Sequence, residues 1–123
     1  MAMSAAQKLG IKPGMRVLVR GLPIAEAGDL VGALPAGATV VEDGDGVDLV
    51  LLFAGDLGAI RSDGRSAYEL VGERGRFWIA YRKGGAELHR DTLQAAVAEL
   101  GLDGVTLIAL DAVWSAMRVR SRG

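Results

Sequence analysis

Arg20-Gly21 and Arg82-Lys83-Gly84-Gly85 each close a short apolar run, R-V-L-V-R in the first case and F-W-I-A-Y in the second. Asp56 follows a third such run, D-L-V-L-L-F, after Ala54-Gly55. If the runs are strands laid side by side in one direction, their carboxyl ends gather Arg20, Gly21, Asp56, Arg82 and Lys83 on one rim. Guanidinium and ammonium groups beside open glycine amides are chemistry for holding an anion such as phosphate or carboxylate. The plainer reading is that charges at strand ends mark where a sheet meets water.

Other reactive groups are scarce. His89 is the single histidine, and Asp91 two residues on could orient it as a general base. No motif places a nucleophile near it, so His89 is read as a helix-entry residue, with Asp91 favouring the helix N-terminus. The chain has no cysteine, which removes disulfides, thiolate catalysis and cysteine-ligated zinc. The stretch from Glu42 to Asp48 holds four carboxylates in seven residues. It lacks the twelve-residue pattern ending in Glu that a calcium loop requires. No metal is expected. Arg118, Arg120 and Arg122 form a basic tail, read as solvated, at the opposite end of the sheet from the rim.

The 123 residues are half apolar with a net charge of -1, which fits one soluble domain over residues 1–123. Balanced charge argues against non-specific nucleic-acid binding. The longest apolar run, Val47 to Ala54, is broken by Asp48 and is too short to cross a bilayer. Met1 to Lys8 lacks the apolar centre of a secretory signal. A cytoplasmic protein is expected.

These residues need elements to hold them. Ser4 to Leu9 suits a short helix capped by Ser4 and ended by Gly10. Arg16 to Arg20 reads as a buried strand. Pro23 suits the first position of a helix whose apolar face is Ile24, Ala27, Leu30, Val31 and Leu34, ended by Pro35-Ala36-Gly37. Gly28 and Gly32 in it are read as allowing close approach to the sheet. Thr39 to Glu42 is a short β-branched strand and Asp48 to Phe53 a strand apolar on both faces. Gly58 and Gly64 divide the next helical stretch into two pieces. Phe77 to Tyr81 is a strand, and Arg90 to Leu100 a helix capped by Gly101. Val105 to Leu110 and Val113 to Val119 form an antiparallel hairpin. Trp78 and Trp114 sit inside strands and are assigned to the core.

Strand-helix alternation predicts an α/β fold, a three-layer Rossmann-like sandwich with a mostly parallel sheet ending in an antiparallel hairpin. One connection is tight. Five residues from Asp43 to Val47 reach roughly 16–18 Å, barely enough to return the chain down a parallel sheet without a helix. The direction of the strand at Thr39 is left open.

Leu9-Gly10-Ile11-Lys12-Pro13-Gly14-Met15-Arg16-Val17-Leu18 resembles the lead into the first strand of class I methyltransferases. Asp48 to Phe53, Gly75 to Tyr81 and the terminal hairpin resemble that fold's fourth, fifth, and sixth and seventh strands. The resemblance implies that one strand-helix unit has been lost near Glu42. Trp78-Ile79-Ala80-Tyr81-Arg82-Lys83-Gly84 and Asp111 to Arg118 are similar to small bacterial domains with this shortened fold, a family that implies no activity. The methyltransferase pattern places a carboxylate and then glycines after the first strand. Here Val19 stands at the carboxylate's place, Gly21 alone survives, and Pro23 replaces the second glycine, so no S-adenosylmethionine cofactor is expected.

Glu42 follows Gly21 by about the 20 residues expected of a ribose-binding carboxylate in such folds. It is either part of a residual nucleoside site or a solvated loop residue. The functional expectation is a non-enzymatic binding or protein-interaction domain with an anion or nucleotide site at Arg20, Gly21, Glu42, Asp56, Arg82 and Lys83. Its partner would be an unidentified protein or a second copy, recruited at the strand edges near Thr39 or Val105. The alternative is a divergent methyltransferase that needs a partner subunit.

Overall fold

The computed structural model describes residues Met3–Arg122. Helix α1 (Ala5–Leu9) starts and stops where its caps predict. The Ser4 hydroxyl accepts from the Gln7 amide, the Gln7 side chain accepts from the Ser4 amide, and Gly10 closes the helix at φ 83°. Strand β1 (Arg16–Arg20) buries three residues between its charged ends. Helix α2 (Ile24–Val31), strands β2 (Thr39–Val41) and β3 (Val47–Phe53), helix α3 (Leu57–Tyr68) and strand β4 (Val71–Arg82) follow in turn. Helix α4 (Arg90–Glu99) and strands β5 (Leu102–Ala109) and β6 (Trp114–Ser121) complete the order.

The six strands form one sheet in the order β2-β1-β3-β4-β6-β5. Strands β2, β1, β3 and β4 are parallel, β6 is antiparallel to β4, and β5 is antiparallel to β6. The strand at Thr39 is therefore parallel, and its register explains how so short a return suffices. Val41 lies level with Leu18, while Val17 lies level with Leu49, two residues into β3. The chain must descend only about three residues and cross two strand spacings, on the order of 14 Å.

Side chains alternate across the sheet and build a core on each face. Val17, Val19, Leu49, Leu51 and Trp78 pack under α1 and α2, with Ala6, Leu9, Ala27 and Val31. Leu18, Val50, Leu52, Phe77 and Ile79 pack under α3 and α4, with Ile60, Ala67, Leu93 and Val97. Trp78 and Trp114 are buried as the sequence predicts. The Trp78 indole donates to the Leu9 carbonyl at 3.0 Å, tying α1 to the sheet.

Four local expectations are corrected. Helix α2 ends at Gly32, φ 81°, before Leu34, and Gly28 and Gly32 meet nothing within 4 Å, so neither serves close packing. Pro23 is the residue before the first helical one. Helix α3 is continuous, because Gly64 faces α4 at a point where a Cβ would lie 2.8 Å from Leu100 Cδ1. Its glycine answers to packing and does not break the helix.

Candidate functional site

Because β1, β3 and β4 are parallel neighbours, their carboxyl ends bring Arg20-Gly21, Asp56 and Arg82-Lys83 to one end of the sheet. Contacts divide these residues into two groups.

In the first group, Arg20 leaves β1 on the same face as Arg16 and Leu18. Its Nη1 donates to the main-chain carbonyl of Glu42, and the same nitrogen is 4.0 Å from the Asp43 carboxylate. Arg16 lies against Gly44, so the return loop from Glu42 to Gly46 crosses the α3 side of β1 between two guanidiniums. The Glu42 carboxylate itself is outside every ion pair among the described residues.

Gly21 has φ 91°, and a Cβ there would collide with the Phe53 carbonyl oxygen. The Phe53 ring is in turn set edge-on against Trp114, centroids 5.2 Å apart. Close approach of the β1 elbow to β3 thus accounts for this glycine without a ligand. Pro23 precedes α2 with no side-chain cap and no N–H of its own.

The second group is engaged elsewhere. Asp56 Oδ1 accepts from the Ala59 amide at 2.8 Å, capping α3. The Arg82 guanidinium lies 5.1 Å over the Trp114 ring. Lys83 Nζ donates to the Asp111 carbonyl at 2.6 Å, and the Asp111 carboxylate accepts from the Val113 and Trp114 amides. Lys83 fastens the hairpin turn.

Between the β1 elbow and α3 lies a cleft of about 390 Å³ lined by Arg20, Gly21, Leu52, Asp63, Ser66 and Ala67, with Leu70 at its side. A cation, a carboxylate and a hydroxyl there stand around an apolar floor, an arrangement suited to a small molecule with one anionic group. Asp63 and Ser66 were not anticipated. Their spacing of three puts them on one helix face, a signal that the two-piece reading of α3 concealed. Another hollow, of about 440 Å³, is lined by Asp56 and Arg82 and by neither Arg20 nor Gly21.

His89 is the residue before α4, and its amide donates to Thr92 Oγ1 at 3.0 Å. Asp91 pairs with Arg90 at 3.4 Å. Tyr81 is buried, and that burial pushes its phenol above the ordinary value, against the opposing effects of a Ser115 hydrogen bond and the Arg90 charge. Among the described residues no group of three His, Cys, Asp or Glu side chains could hold a metal ion. No helix among them is long and apolar enough to cross a membrane.

No protein-family model matches the chain, and no curated protein matches it in sequence. Solved structures do resemble it. A TehB-like SAM-dependent methyltransferase from Corynebacterium glutamicum is 14% identical over 98% of this chain and 89% of its own, with a TM-score of 0.60. Ribosomal protein L11 methylase from Lactobacillus delbrueckii subsp. bulgaricus is 12% identical over 97% of this chain and 75% of its own, TM-score 0.62. The 1,6-didemethyltoxoflavin-N1-methyltransferase of Burkholderia thailandensis, solved with S-adenosylhomocysteine, is 14% identical over 97% and 77%, TM-score 0.63. With its sheet order, its antiparallel terminal hairpin and a bare loop joining β2 to β3, the chain has a shortened class I methyltransferase-like fold.

Proposed function

We propose that this chain is a non-enzymatic binding domain on a methyltransferase-like fold, with its ligand site on the strand-end rim around Arg20. The observation that carries the reading is the bridge from the Arg20 guanidinium to the Glu42 main chain. It spans the ends of β1 and β2 with a cation. S-adenosylmethionine is a sulfonium cation, and the residues at this elbow do not fit it. Val19, at the carboxylate's place, is buried in the core on the α1 side. Pro23 offers no N–H. The Arg20 guanidinium, the one cation lining the cleft, favours a ligand with an anionic group, such as a phosphate or a nucleotide.

Isothermal titration decides between this and a methyltransferase that works with a partner subunit. The second reading draws on Glu42, whose exposed carboxylate stands at the end of β2. Neither S-adenosylmethionine nor S-adenosylhomocysteine is expected to give heat or raise the melting temperature. Adenosine monophosphate is expected to bind weakly and to be lost in Arg20→Gln. Tight S-adenosylmethionine binding that disappears in Glu42→Ala would overturn the proposal. A protein partner or a second copy would meet the domain at the edge strands, β2 and β5.

A further inference from the structure

At the other end of the sheet, the end of α3, the start of β4 and the last residues of β6 enclose a cleft of about 320 Å³. Arg74 and Arg76 line it from β4, Arg118 and Arg120 from β6, against two carboxylates, Glu69 and Glu73. The ion pairs among the described residues use Arg20, Arg61 and Arg90, and none involves these four arginines. With 15 acidic residues for 14 basic ones, the chain has carboxylates enough to pair them. They are left unpaired together.

That grouping is unfavourable on its own. Partial burial, and after it the positive charges of Arg76 and Arg120, hold the Arg118 guanidinium below its ordinary pKa. The backbone contributes as well. Between the pairs Val47↔Val71 and Leu49↔Arg76, one residue of β3 faces four of β4. Arg74 in this bulge has φ 67°, the one non-glycine residue at positive φ among the described residues. Such a conformation costs about 1–2 kcal/mol, and bulges re-aim side chains. Repulsion and backbone strain converge on the same cleft, and an anion between the guanidiniums would relieve the repulsion.

We infer that this cleft binds a multiply charged phosphate, of the size and charge of a diphosphate group. Four arginines against two glutamates among its lining residues, with Asp103 level with Arg120 across the β5–β6 pair, leave a surplus of positive charge. Planar guanidinium forks match phosphate oxygens bidentately. The volume suits a small molecule carrying such a group. The site lies at the opposite end of the sheet from Arg20 and is independent of the rim. Arg76 has a second contact, with its Nη1 2.5 Å from where a Gly10 Cβ would stand, so Arg118 and Arg120 are the informative positions.

The probe is sodium pyrophosphate, titrated calorimetrically in low salt into wild type, Arg118→Gln, Arg120→Gln, Arg61→Gln and Arg20→Gln. Wild type is expected to bind, and Arg118→Gln and Arg120→Gln to weaken binding about tenfold or more. The control Arg61→Gln, whose guanidinium pairs with Glu99 outside both sites, should stay within about twofold. Arg20→Gln should remove no more than a second, weaker event on the rim. Arg118→Gln should melt no lower than wild type, since it removes repulsion, so lost binding will not reflect lost folding. The inference is overturned by an absence of pyrophosphate binding in wild type or by binding that survives both β6 variants. Loss in Arg20→Gln alone would also overturn it and place the anion on the rim. Binding of a single-stranded oligonucleotide without any of pyrophosphate would overturn it in favour of a polymer.

Discussion

Arg20 holds Glu42 by its main-chain carbonyl and leaves the Glu42 carboxylate aside. The bond fixes the last residue before the return loop, whose five residues do the work of a helical crossover. A charge-assisted hydrogen bond is worth about 1.5–3 kcal/mol, and less where the guanidinium is partly solvated, as here. Arg20→Gln should therefore lower stability by about 1 kcal/mol. The change would be read from the midpoint of urea unfolding, together with faster amide exchange confined to residues 42–46. A midpoint equal to that of wild type would mean the bridge adds nothing.

Two helical glycines should respond oppositely to alanine. Gly28 in α2 meets nothing within 4 Å, so Gly28→Ala should gain about 0.5–1 kcal/mol from helix propensity and a less flexible unfolded chain. In Gly64→Ala the new methyl would press on Leu100 Cδ1 at 2.8 Å, in the packing of α3 on α4. Overpacking of this kind costs about 1–3 kcal/mol, enough to outweigh the propensity gain. Thermal melts of the two variants should move in opposite directions, and a shared direction would refute the packing argument for Gly64.

These glycines also show where the sequence was legible. Ser4, Gly10 and Gly101 act within one turn of their own helix, so the ends of α1 and α4 could be placed from local chemistry. The apolar runs at Val17, Val50 and Ile79 marked the strands as buried, and being continuous they carried no sign of which residue faces which layer. The role of Gly64 depends on Leu100, thirty-six residues away, and that of Gly21 on the Phe53 carbonyl. No local pattern reports such contacts. The rim was legible as a place, because parallel strands must end together. Its contents were not, since the partners of Arg20, Asp56 and Lys83 come from the return loop, the α3 backbone and the hairpin turn.

Tyr81 gives the fold a dependence on alkaline pH. Burial raises its phenol, with the Ser115 hydrogen bond and the Arg90 charge working the other way. Above the ordinary tyrosine value the unfolded chain loses this proton while the folded chain keeps it. The folded state then binds more protons, so stability falls as pH rises through that window and is fully present below it. In an alkaline titration of phenolate absorbance, wild type should show a late component that Tyr81→Phe lacks. The variant should also lose less stability between neutral and alkaline pH. Identical slopes in the two proteins would remove Tyr81 as the cause.

Strand β5 is an edge that carries no charged residue from Gly104 to Leu110, with Val105 and Leu107 exposed at 37% and 44%. Such an edge invites pairing with another chain. Gln94 of α4 covers its start. The carboxamide accepts from the Gly104 amide at 2.8 Å and donates to the Gly104 carbonyl at 3.2 Å, as a neighbouring strand would. Lys8 Nζ covers the other end by donating to the Ala109 carbonyl at 2.8 Å. In Gln94→Ala both Gly104 groups lose their partner, a loss of about 1 kcal/mol offset by a few tenths from helix propensity. Gln94→Glu, which can only accept, should keep the amide bond and repel the carbonyl, so it should fall between alanine and wild type in stability. Light scattering should show more self-association in the alanine variant than in wild type. If both variants stay as dispersed as wild type, the edge is protected by something other than Gln94.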